Sequence, residues 1–232
     1  MRTLLIIGAG GFAKEVLWSA LEMNRAFTQL DRWDLVGLAD DDEAKHGQEV
    51  SGHPVLGLPE TVVADLDGRE VWYHCATGLN ENRCRLAARL DALGCHAATI
   101  IHPSALIAPN VQIGGGAYIG AFTVINPDVV IGDHVLINQR VAIGHDVVLE
   151  GFSQVNPGGQ INGTCRVGRF ALIGSNASLH PTVRVGERAV VGANSQALQN
   201  VPPNTTVNGV PATRSFNHKS TKGRSVGHEP NC

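Results

Sequence analysis

The sequence predicts two architectures in series: a small parallel α/β sheet domain, then a β-solenoid. Two observations carry this. Residues 4–7 form a short apolar run broken by the glycine cluster Gly8-Ala9-Gly10-Gly11 and followed by a helical pattern. From Ile101 to Ala197, every sixth residue is apolar without exception, and sixteen of the seventeen positions are Ile, Leu or Val.

Taken in chain order, residues 4–7 read as a buried strand and 13–23 as a helix. A strand, a glycine turn and a helix N-terminus together form an anion site, because bare N–H groups and the helix dipole converge there. A second strand at 35–39 ends in Asp40, Asp41 and Asp42. Residues 71–76 read as a third buried strand, followed by Thr77-Gly78 and a helix from about 82 to 93. Strands alternating with helices imply a parallel sheet. The spacing Gly8-x-Gly10-x-x-Ala13, with an acidic residue after the second strand, fits a dinucleotide fingerprint. However, the α/β part ends near residue 95, which leaves room for one mononucleotide-binding half rather than the pair that a nicotinamide dinucleotide spans. A nucleotide or nucleotide-linked ligand is expected instead. Its phosphates would lie at Gly10, Gly11, Phe12 and Ala13, and its base or ribose near Asp40 and Asp41.

The period of six fits neither a helix, which would spread these positions around its circumference, nor a meander, which needs no strict count. It fits a chain that turns a corner every six residues, with the aliphatic side chain pointing inward. A second register, four residues on, is small or β-branched (Ala117, Thr123, Val129, Val135, Val141), so neighbouring coils can close tightly. The residue after each aliphatic is often Gly or Asn (Gly114, Gly120, Asn126, Gly144), which is expected to take the tight corner conformation. Three sides make an 18-residue coil, and the repeat supplies between five and six coils. The expected division is 1–98 for the α/β domain, 99–214 for the solenoid and 215–232 for a polar, mobile tail.

Composition excludes several classes. Net charge is −3 with no long basic stretch, so nucleic acid is not expected as a partner. Five cysteines lack paired or metal-like spacing, which suits a reducing cytoplasm. The opening MRTLLIIGAGG is too quickly broken by glycine for a signal peptide, and no run reaches membrane-spanning length, so no membrane insertion is expected.

Within the repeats the histidines are His102, His134, His145 and His180. His145 follows inward Ile143 by two residues and should point outward, and one coil further on stands Gly163. A histidine beside bare backbone is a candidate base next to a groove, with Asp146 able to hold the imidazole. Asn138 and Asn156, one coil apart, can offer amides to a sugar. His102, in HPSA, reads as a structural cap, while His134 and His180 read as exposed side residues. A zinc hydratase needs three converging imidazoles, which this spacing does not supply, so no metal is expected.

The segments IIGAGGFAKEV, the acidic DD after the second strand, TIIHPSALI at the junction and NGVPATR near the end occur together in this order. The combination resembles the bacterial nucleotide-sugar acetyltransferases of the sialic acid O-acetyltransferase type, over residues 1–214. That group includes enzymes that N-acetylate UDP-, GDP- or dTDP-linked amino-deoxy sugars. The resemblance implies a Rossmann-like domain on a left-handed parallel β-helix, assembled as a homotrimer with active sites between subunits. It also implies acetyl-CoA as co-substrate, with His145 as general base followed by Asp146, and Asn138 as a sugar ligand. Main-chain contacts to acetyl-CoA are implied near Gly163, Ser175 and Ala193, with the adenine end near Pro211. Two positions depart from the family pattern, which often has histidine where this chain has Phe12 and Gln154. The expected reaction is acetyl transfer to the amine of a nucleotide-linked amino sugar. The alternatives are O-acetylation of a sugar hydroxyl, as in sialic acid, or a non-catalytic scaffold.

Overall fold

The computed structural model describes residues 2–26 and 32–217, and the side chains of these as far as Arg214. The chain divides into two compact units, one ending at Pro103 and the other starting at Ser104.

In the first unit, β1 (Arg2–Ile7) leads into α1 (Gly11–Ala26), followed by β2 (Trp33–Ala39) and a single 3-10 turn, Glu43–Lys45. Then come β3 (Glu49–Val50), β4 (His53–Gly57), α2 (Pro59–Asp65), β5 (Val71–Cys75), α3 (Asn80–Ala92) and β6 (His96–Ala97). The sheet order is β3-β4-β2-β1-β5-β6, parallel except for the β3–β4 pair. Leu4, Leu5, Ile6 and Ile7 are fully buried because β1 is central and covered on both faces, as a continuous apolar run requires. The short elements β3, β4 and α2 are not among those read from the sequence, since Gly47, Gly52 and Pro54 interrupt any periodic pattern there. At the end of this unit His102 is buried against the Trp18 ring, with centroids 4.5 Å apart. Burial holds its imidazole below the usual histidine range, against an opposing pull from Glu22.

The second unit is the solenoid. Two-residue strands recur every six residues, from Leu106–Ile107 to Gln196–Ala197, and stack with an 18-residue offset into three parallel sheets. Val124–Ile125, for example, pairs with Ala142–Ile143, which pairs with Gln160–Ile161. The inward aliphatics Ile119, Ile137, Ile143, Leu149 and Val155 have no solvent exposure, nor do Ala117, Val129 and Val135 of the second register. A terminal hairpin, Thr205–Gly209 with Ala212–Asn217, extends one sheet. Its outer strand runs to Asn217; the rest of the expected tail, 218–232, lies outside the described residues.

The corners differ from expectation. The left-handed conformation falls on the third residue after each inward aliphatic, not the first: every sixth residue from Asn110 to Asn194 has positive φ, including His134, Asp146, Phe152 and Phe170. Glycine at the first position serves close approach instead. A Cβ on Gly168 would lie 2.7 Å from the Glu187 amide nitrogen one coil above. Gly168→Ala should therefore destabilise by about 1–3 kcal/mol, as overpacking does. The expected lowering of Tm, read by calorimetry, is roughly 2–12 °C for a chain of this size.

His134 is buried, not exposed. Positive-φ residues one coil apart project outward in register at about the strand spacing, ~4.8 Å, which is also an aromatic stacking distance. His134 stacks on Phe152 at 4.9 Å and Phe152 on Phe170 at 5.5 Å. The Arg169 guanidinium covers both phenyl rings, at 5.0 and 4.9 Å. No helix among the described residues is long and apolar enough to cross a membrane.

Candidate functional site

In the first unit a cavity of about 520 Å³ opens where β1, β2 and β5 end. Gly10, Gly11 and Phe12 line it, together with Asp40, Asp41, Lys45, Thr77, Gly78, Asn82 and Arg85. The chain reverses from β1 into α1 through Gly8, whose φ of +105° lies where only glycine is relaxed. A Cβ added to Gly10 or Gly11 would meet nothing within 4 Å, so both present bare backbone. The Ala13 amide closes the first turn on the Gly10 carbonyl at 3.1 Å, and the positive end of the α1 dipole at this turn suits an anion.

Asp40 fastens this loop. Its carboxylate accepts hydrogen bonds from the Ala9 amide (2.6 Å), the Asp42 amide (2.9 Å) and Lys45 Nζ (3.0 Å). Partial burial pushes its carboxyl upward, but these three donors outweigh that and hold it below the usual range. Because the folded value is lowered, the stabilisation is complete above the unfolded carboxyl value, near ~3.9, and is lost as pH falls through the lowered one. Asp40→Asn should cost about 1–3 kcal/mol at neutral pH. Chemical denaturation should show the gap between variant and parent closing in acid. Asp41 is also held low, first by Arg89, whose Nη1 donates to it at 2.8 Å, against a smaller desolvation effect.

In the second unit, His145 occupies the corner after inward Ile143. Its ring is two-thirds exposed, and Nδ1 lies 2.7 Å from Asp146 Oδ2. A carboxylate oxygen only accepts, so Nδ1 carries the proton and Nε2 is left as an acceptor facing away from Asp146. The backbone fixes both members: the His145 carbonyl accepts from the Thr164 amide (2.9 Å) and the Asp146 amide donates to the Pro127 carbonyl. Beneath the ring lies Gly163, where a Cβ would come within 2.6 Å of Nε2. An exposed polar contact of this kind adds little stability, so its geometry matters for chemistry rather than for folding.

Residues 3–90 match the model of the PglD N-terminal domain. A His-to-Asn variant of perosamine N-acetyltransferase from Caulobacter crescentus, in complex with CoA and GDP-perosamine, superposes with a TM-score of 0.84 at 28% identity, covering 94% of this chain and 98% of that one. The acetyltransferase domain of PglB from Neisseria gonorrhoeae, in complex with acetyl coenzyme A, gives 0.81 at 29% identity, over 92% and 98%. WeeI from Acinetobacter baumannii matches in fold, with a TM-score of 0.81 at 23% identity, over 92% and 100%. No curated protein sequence is significantly similar. The chain has the fold of the left-handed β-helix acyltransferases.

Within this acyltransferase fold the expected site residues fall into three places. Gly10, Gly11, Phe12, Asp40 and Asp41 share the cavity of the first unit. His145, Asp146 and Gly163 share one edge of the prism. Asn138, Ser175 and Ala193 lie along another edge: Asn138 follows inward Ile137, and Ser175 and Ala193 sit two residues past inward Ile173 and Val191. Pro211, in the turn of the terminal hairpin, continues the sheet that ends at this second edge. Asn138 is buried, and Asn156, one coil on, accepts from Gln154 Nε2 at 2.7 Å. Lys45, Asn82 and Arg85 line the cavity without having been expected. Lys45 and Arg85 bind the acidic residues after β2, so the signal was the surplus of carboxylates there.

Proposed function

We propose that this protein transfers the acetyl group of acetyl-CoA to the amino group of a nucleotide-linked amino-deoxy sugar. The observation that carries the mechanism is the seat of His145: an imidazole held by Asp146 at Nδ1, resting on bare Gly163 backbone with Nε2 open to an incoming group. The whole-chain likeness to a perosamine N-acetyltransferase with CoA and GDP-perosamine supports the choice of donor and acceptor.

In this reading the sugar nitrogen closes on the thioester carbon while His145 Nε2 takes a proton from it. A main-chain N–H near Gly163 meets the charge that develops on the carbonyl oxygen. The new C–N bond replaces the C–S bond, and His145 returns its proton to the departing thiolate. Asp146 keeps Nδ1 protonated, so that Nε2 stays the acceptor before the transfer and the imidazolium is stabilised after it.

A thioester must reach Nε2 through a slot. The small side chains of Ser175 and Ala193 suit a narrow pantetheine arm, but they lie on a different edge from His145. We therefore propose a homotrimer in which the His145 edge of one subunit meets the Asn138, Ser175 and Ala193 edge of its neighbour, with Pro211 toward the adenine end. The nucleotide would sit in the cavity at Gly10, Gly11 and Phe12. A cytoplasmic location follows from the two substrates. O-acetylation of a sugar hydroxyl, as in sialic acid, would use the same base; the N-acetyltransferase relatives favour the amine.

A thiol-release assay tests this, with acetyl-CoA and a panel of UDP-, GDP- and dTDP-linked amino sugars beside free sialic acid. Turnover with a nucleotide-linked amine is the expected result. Turnover only with sialic acid, or none, would overturn the reading.

A further inference from the structure

Three cations surround the acidic residues after β2, and they are not held alike. Lys45 donates to Asp40 at 3.0 Å and also lies 3.8 Å from Asp42. Arg89 is fixed from two sides: Nε and Nη2 grip the two oxygens of Glu60 at 2.7 and 2.8 Å, while Nη1 donates to Asp41 at 2.8 Å. Arg85, one helical turn before Arg89 on α3, has as its polar partner among the described residues only the same Asp41 oxygen, at 3.4 and 3.3 Å through Nη1 and Nη2. These two contacts are long for charge-assisted hydrogen bonds, and the Arg85 side chain is half exposed. Arg85 lines the cavity with Gly10 and Gly11, whereas Arg89 does not.

We infer that Arg85 is the residue that binds the diphosphate of the nucleotide, exchanging Asp41 for phosphate oxygens when the ligand enters. This rests on the nucleotide-sugar reading above and deepens it. The exchange costs little, because Asp41 keeps its shorter bond to Arg89 and no carboxylate is left unpaired. A guanidinium fork matches two phosphate oxygens at once, in a way that a lysine cannot reproduce. Asp41 thus serves as the resting place of Arg85, and the glycine loop and Arg85 converge on the same anion.

Titration calorimetry of the full-length protein with UDP, GDP and dTDP, and with the matching nucleosides, tests this in the parent and in Arg85→Gln and Arg85→Lys. For the nucleoside diphosphate that binds best, Arg85→Gln should raise Kd roughly ten- to hundredfold. Arg85→Lys should restore only part of this. Nucleoside binding should stay within about threefold, since no phosphate is present to lose a partner. Unchanged diphosphate affinity in Arg85→Gln would overturn the assignment while leaving the nucleotide site intact. Equal loss of nucleoside and diphosphate would overturn it in favour of a role in shaping the pocket wall. A parent that binds none of the three diphosphates would overturn both the assignment and the nucleotide-sugar reading.

Discussion

His145→Ala should lower kcat by about 10²- to 10⁴-fold, the range typical of losing a positioned general base. The fold should survive unchanged, because the ring is two-thirds exposed and its hydrogen bond to Asp146 contributes little to stability. KM for acetyl-CoA should change little, because the account gives His145 a role in proton transfer and none in holding the donor. The deficit should also shrink as pH rises, since hydroxide can then take the nitrogen proton that His145 no longer removes. Steady-state kinetics across pH would check both points. A folded His145→Ala protein with kcat within about threefold of the parent would remove the general-base assignment.

Gly163→Ala should be the next most damaging change, through a different physical route. The added methyl would stand 2.6 Å from His145 Nε2 and 2.8 Å from Cε1. The ring is the far end of an exposed side chain, so it can swing aside at small cost to stability. Displacement by about 1 Å, however, is enough to cost roughly 10²-fold in a reaction that depends on alignment. The expected signature is a Tm close to that of the parent with kcat reduced by about two orders of magnitude. A crystal structure of the variant should show the imidazole rotated off its seat. Parental kcat with a displaced ring would mean that the position of Nε2 does not matter to the reaction.

The solenoid was legible because its constraint is local and repeated. Each inward aliphatic from Ile107 to Ala197 reports its own corner, so one misread position could not shift the rest. The glycine turn at residues 8–11 was legible for a similar reason, since strand, turn and helix are contiguous. What escaped the sequence depends on the stacked coils. Gly144 looked like a turn residue. It is glycine because a Cβ there would fall 2.5 Å from the Gly163 amide nitrogen, while the left-handed residue is Asp146. His134 looked exposed because its aromatic neighbours, Phe152 and Phe170, are 18 and 36 residues away in sequence yet stacked in space.

The same counting explains the candidate site. His145 and Gly163 differ by one full coil and meet, as expected. Asn138 and His145 differ by seven residues, one side of the prism plus one, and so stand on different edges. Arg85 carried no signal of its own: nothing in RCRLAAR distinguishes the loosely held arginine from Arg89, which Glu60 grips. That difference exists only once α2 and α3 are packed in one unit.

The most direct test of the central claim is the chemical nature of the acetyl linkage in the product. Protein, radiolabelled acetyl-CoA and a nucleotide-linked amino sugar should yield a labelled nucleotide sugar whose acetyl group withstands neutral hydroxylamine, as an amide does. A label released by hydroxylamine would reveal an ester, and would contradict transfer to the amine.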